Sequence, residues 1–206
     1  MFRQFFPILL VFFLSIALAQ EQESKPVTSK DPLTADQVAV YRAVLADYNK
    51  GENSALNLAN KTEPFRLNDF QDAKSCLKSA NIQLAATHPS VVHRLSGAIA
   101  LGPKMVFVDP DKQNETVKKN DPGNLIRSAI DDHQTLSDNE LEKSVKQAFA
   151  TGLFTFSEIA FNRQHTRAAL WYSFSCGGLC GHGNTVVLKK VNGKWKMSRT
   201  CGGWIA

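Results

Sequence analysis

Residues 153–206 decide the fold: LFTFSEIAFNRQHTRAALWYSFSCGGLCGHGNTVVLKKVNGKWKMSRTCGGWIA. Four stretches in it read as strands: 153–161 (LFTFSEIAF), 167–175 (RAALWYSFS), 184–191 (NTVVLKKV) and 194–201 (KWKMSRTC). Each has strand length and is bounded by turn residues. NRQHT separates the first two and the glycine-rich CGGLCGHG the next two. Asn192-Gly193 between the last pair is the strongest two-residue hairpin signal, because a type I′ turn needs positive φ at both central positions. The expectation is an antiparallel meander of about four strands. In KWKMSR, alternation puts Trp195 and Met197 on one face and Lys194, Lys196 and Ser198 on the other. Trp171, Trp195 and Trp204 are therefore assigned to the core and the lysines to the wet face, where they also discourage edge-to-edge pairing.

Upstream, helical periodicity takes over. Thr34-Ala35-Asp36-Gln37 reads as a capping box opening a helix through Tyr48, with Gly51 as its stop. Residues 54–62 (SALNLANKT) suit a half-buried strand, and 68–80 (NDFQDAKSCLKSA) a helix with Asn68 as N-cap. Residues 103–109 read as a strand, 109–123 as a polar loop and 124–133 as a short helix. Ser137-Asp138-Asn139-Glu140 is a second capping box, for a helix to about Ala150 that Gly152 ends. Helices first and strands last predict an α+β domain over 34–206, its helices packed on one face of the C-terminal meander.

Residues 1–20 (MFRQFFPILLVFFLSIALAQ) have the order of a secretory signal peptide: Arg3, an apolar run from Ile8 to Leu18, then Ala17-Leu18-Ala19 as a small-x-small cleavage site. The expected mature chain starts at Gln20, opens on a flexible leader over 20–33 and has no stable membrane anchor, which places it in the periplasm or outside the cell. The 206 residues carry 24 Lys+Arg and 19 Asp+Glu, a net of +5, with 43% apolar residues, a globular composition that excludes disorder and polytopic membrane classes. The charge is unevenly placed. Residues 20–158 carry a net of −3, whereas 159–206 hold seven cations (Arg163, Arg167, Lys189, Lys190, Lys194, Lys196, Arg199) and no acid.

The stretch from Phe154 to Ala206 resembles the C-terminal half of an uncharacterised family of exported bacterial proteins. FSEIAFNRQHTRA, CGGLCGHG, LKKVNGKWK and CGGWIA carry the resemblance, with a C-G-x-L-C-G-x-G turn followed by a K-x-x-G-K-W-K hairpin. The resemblance implies export. It brings no catalytic residues, because the family has no established activity.

The cysteines offer the sharpest chemistry. An even count in an exported chain reads first as disulfides, here Cys176 with Cys180 across a glycine-rich loop and Cys76 with Cys201 between a helix and the last strand. Four cysteines permit three pairings, so this is one of three. The alternative is a thiol- or metal-dependent enzyme centred on Cys176, Cys180, His182 and Cys201, a Cys₃His set with the unusual spacing C-x₃-C-x-H. Cys180 or Ser175 with His165 or His182 could be drawn as a dyad, but no recognised catalytic frame surrounds them. The glycine spacing from Gly178 to Thr185 lacks the lysine and the helix of a phosphate loop, and its glycines are assigned to positive φ in a tight bridged turn. Asp131-Asp132-His133 reads as a solvated face, and Glu158 as a cross-strand partner of Arg167. No cofactor motif and no nucleic-acid partner is expected. The reading is a non-catalytic binding or structural module of the cell envelope, with His182, Lys194 and Lys196 as candidate binding residues for an acidic partner or small ligand at the basic sheet.

Overall fold

The computed structural model describes residues 26–50, 55–65, 71–82 and 91–206. The expected signal peptide, the first part of the expected leader, Gly51, and the expected Asn68 cap with Phe70 lie outside the described residues. Among the described residues no helix is long and apolar enough to cross a membrane.

The elements in chain order are β1 (Val27–Thr28), α1 (Ala35–Tyr48), β2 (Leu56–Ala59), α2 (Gln71–Ser79), β3 (Val91–Val92), a 3₁₀ turn (Gly97–Ile99), β4 (Met105–Val108), α3 (Pro110–Lys119), α4 (Pro122–Asp131), α5 (Asp138–Thr151), β5 (Leu153–Phe156), β6 (Ala160–Phe161), β7 (Arg167–Gly177), β8 (Cys180–Val191) and β9 (Lys194–Ile205). The class is α+β. The main sheet runs β4-β2-β5-β7-β8-β9, with β6 paired to β7. It is mixed: β2 pairs in parallel with β4 and β5, and every pairing from β5 to β9 is antiparallel. The expected meander is therefore the larger part of a seven-stranded sheet, extended by β2 and β4 from earlier in the chain. β1 and β3 form a separate parallel pair, bringing residues 27–28 of the leader into a strand.

Both capping boxes form. Thr34 and Gln37 close α1, and Ser137 and Glu140 close α5. The polar stretch 109–123 is a correction. It holds α3 and the start of α4, each opened by an Asp-Pro pair, Asp109-Pro110 and Asp121-Pro122. The aspartate side chain accepts from the first free amides, and proline at the first helical position has no amide to leave unpaired. Only Pro110 and Val117 of α3 are buried, so its sequence shows almost no apolar face.

The expected first strand, 153–161, is two. Ser157 interrupts it, its hydroxyl accepting from the Trp171 amide at 2.9 Å, and the chain turns from β5 to β6. The last hairpin forms as read, with Asn192 at φ 50° and Gly193 at φ 74°. The glycine-rich connection is shorter than expected. β7 and β8 pair as far as Gly177 and Cys180, leaving Gly178-Leu179 as the turn.

Helices cover both faces, a correction to the one-sided packing. On one face α1 buries Val40, Tyr41, Val44 and Leu45 against Leu58, Phe154, Phe156, Leu170 and Leu188. On the other, Leu77 and Ala80 of the α2 region meet Ala169, Val187 and Cys201, and Val117 of α3 meets Ala59 and Leu153. Small or β-branched residues at alternate positions of β7 and β8 make the second face apolar enough to be covered. Both disulfides pair as read. Cys76–Cys201 ties α2 to β9 with Cα atoms 5.6 Å apart, and Cys176–Cys180 closes the β7–β8 hairpin at 5.0 Å.

Candidate functional site

The register of β5, β7, β8 and β9 sets Phe154, Phe174, His182 and Ile205 side by side in one row. Cross-strand partners point to the same face, here the face that carries α1 and α5. Tyr48, in the last turn of α1, lies over this row. Its ring centroid is 4.7 Å from Phe154 and 5.7 Å from His182, stacked on the imidazole at 20°. Phe149, near the end of α5, stacks on Phe174 at 5.8 Å and remains 55% exposed. Between α1 and α5 the sheet thus forms a groove of about 470 Å³, walled by Tyr48, Leu56, Phe149, Phe174 and His182, with Asn49 and Lys146 among its polar contacts. That is the size of a small-molecule site.

The hairpin end that presents Phe174 and His182 is held from three directions. The Cys176–Cys180 bridge lies two residues beyond each. Asp121 accepts from the Gly178 amide at 2.8 Å while its other oxygen accepts from Gly123 at the start of α4. On the opposite face the Trp204 indole covers Gly181 and Gly183, where a Cβ would sit 3.2 Å and 2.5 Å from its atoms. These two glycines are outside the positive-φ set, which at this turn holds Gly177 alone, so their role is to leave room for the indole and the neighbouring strand. The core assignment of the tryptophans is also corrected: Trp195 is buried, whereas Trp171 and Trp204 are half-buried.

Lys194 and Lys196 lie elsewhere. They are exposed on the opposite face from His182, toward the Asn192-Gly193 turn. Lys189, opposite Lys196, is seven residues from His182, roughly 23 Å along an extended strand. The predicted binding residues thus fall in two places. Lys190 and Trp195 belong to neither, for both donate to Asp36 of α1, at 2.7 and 3.0 Å from one of its oxygens. The Lys190 hydrogen bond, then that from Trp195, holds the Asp36 carboxyl below its ordinary value.

Glu158 is a further correction. It faces His93, with Nδ1 2.9 Å from its carboxylate, and accepts from the His93 amide at 2.8 Å and from the Thr62 hydroxyl. The strand break at Ser157 turns Glu158 away from the Arg167 ladder toward the loop after β2. Nearby Tyr41 donates to the Ser157 carbonyl at 3.0 Å, and burial, with the Glu158 charge adding, pushes its phenol well above the usual range. The arrangement fastens the β2 and β3 loops to the sheet.

All four sulfurs are in bridges, which leaves no thiolate to attack a substrate or ligate a metal. Among the described residues no three His, Cys, Asp or Glu side chains are placed to hold a metal ion. Sequence reasoning singled out His182 but missed Tyr48, Phe149 and Phe174. Their signal was faint: aromatic residues at the ends of helices and strands, which meet only once the sheet is assembled. No family model, curated protein or solved structure matches the chain.

Proposed function

We propose that the protein is an exported, non-catalytic binding module of the cell envelope or its surroundings, taking a small ligand with a planar apolar ring in the groove beside His182. The observation that carries this reading is the groove itself, where four aromatic rings converge and Phe149 keeps an exposed ring stacked on Phe174. A concave, mostly apolar site lined by aromatic side chains with a few polar groups is the usual form of a small-molecule site. Export is supported by the charge, apolar run and A-x-A order of residues 1–19 and by two disulfides, which form and persist mainly in oxidising compartments. The bridged sulfurs weigh against the thiol- and metal-dependent alternative.

The test is a calorimetric titration of the mature, oxidised protein with indole. Saturable binding is expected, weakened about fivefold by Phe149→Ala through the lost stacking. Absence of saturable binding, or equal binding by Phe149→Ala, overturns the reading. Export is checked separately by sequencing the N-terminus of the secreted chain, which is expected to begin at Gln20.

A further inference from the structure

We propose that the end of the α2-bearing sheet face beside the β8–β9 turn is a seat for a linear acidic polysaccharide. Arg167 of β7, Lys189 of β8 and Lys196 of β9 are direct register partners, so three cations stand in one row across three strands. All are exposed, and Lys194, opposite Val191, adds a fourth on the same face. Among the described residues none of the four has an ion pair. Lys190, on the other face, is matched to Asp36. Like charges directly opposite one another across a sheet destabilise it. A row that neutralises nothing within the fold is complementary to an anion from outside it.

The spacing selects the kind of anion. Neighbouring strands lie about 4.8 Å apart, close to the advance of one sugar along an extended chain. A polymer of uronic acids laid across the strands would bring one carboxylate to each cation, with Arg167 able to take its carboxylate through two parallel N–H donors. Nucleic acid fits less well. At this end Phe161 and Trp195 pack against the core of the opposite face and His165 stacks on Phe161, so the cationic row is not interleaved with rings for bases to stack on. A membrane fits less well too. Across β7–β9 and their turns the large exposed apolar side chains are Leu179 and Ile205, both at the far end of the strands. This inference does not depend on the groove.

The experiment titrates the mature, oxidised protein with galacturonic acid oligomers of one to four sugars, with neutral maltotriose, a short DNA duplex and anionic phospholipid vesicles as comparisons. Affinity is expected to rise to three sugars and then level, to fall with salt, and to drop about tenfold in Lys189→Gln. The triple variant Arg167→Gln/Lys189→Gln/Lys196→Gln is expected to lose binding while its Tm equals or exceeds that of the wild type, since repulsion has been removed. Lys189→Gln alone gives the answer should the triple variant not fold. Tighter binding of DNA or vesicles than of the trimer, equal binding of maltotriose, or full binding by Lys189→Gln would each overturn the proposal.

Discussion

Single residues here are explained by what touches them more than by what the chain does locally. Gly183 has an extended backbone and needs no special φ, yet a Cβ there would lie 2.9 Å from the Tyr172 carbonyl and 2.5 Å from the Trp204 Nε1. Gly183→Ala is expected to cost about 1–3 kcal/mol by overpacking and to shift Trp204 fluorescence, read by chemical denaturation with emission spectra. Asp36 gives a pH prediction. Its carboxyl is held below the ordinary range by Lys190 and Trp195, so the folded state favours the ionised form. That contribution is complete above the unfolded aspartate pKa, about 4, and is lost as pH falls through the depressed folded value. Asp36→Asn should flatten the acid limb of the stability profile below about pH 4, with little change in its shape above. Neither role was legible in the sequence, because a glycine's neighbours and an aspartate's donors come from distant strands. Trp195 was readable, since its place in an alternating hairpin fixes its face.

At the scale of elements, legibility followed the strength of local signals. Two capping boxes and one Asn-Gly turn placed α1, α5 and the β8–β9 hairpin. The hairpin also implied that Lys189 faces Lys196, a count from the turn that would have exposed the cationic row. α3 is illegible because a mostly polar helix has no apolar period to read, and the Asp-Pro pairs that open α3 and α4 are equally common in loops. The parallel pairing of β2 with β4 and β5 was illegible for another reason: no turn joins parallel strands, so nothing local specifies the partner. Asp121 joins two elements, capping α4 and holding the Gly178 amide of the β7–β8 turn. Asp121→Ala should cost about 1 kcal/mol as a lost cap. It should also speed hydrogen exchange at Gly178 more than at amides of β9, a contrast that mass-resolved or NMR exchange would read.

For the whole molecule, the two bridges are unequal. Cys76–Cys201 spans 125 residues and Cys176–Cys180 spans 4. In the chain-entropy account the first stabilises by about 5 kcal/mol and the second by about 2. Replacing the first pair with serine should therefore lower the denaturation midpoint more, whereas replacing the second should chiefly loosen the hairpin that presents Phe174 and His182. The net charge of +5 divides between a slightly acidic N-terminal part and a C-terminal sheet with seven cations and no acid. The fold then sends those cations different ways, Lys190 to Asp36 and the register row to solvent. On the proposed function, the groove between α1 and α5 receives a planar ring. The most direct measurement is a crystal structure of the mature, oxidised protein grown with indole. The ring is predicted to lie against the exposed face of Phe149, at the edge of the Tyr48–His182 stack, and a ring bound elsewhere, or a groove without indole at saturating concentration, would contradict it.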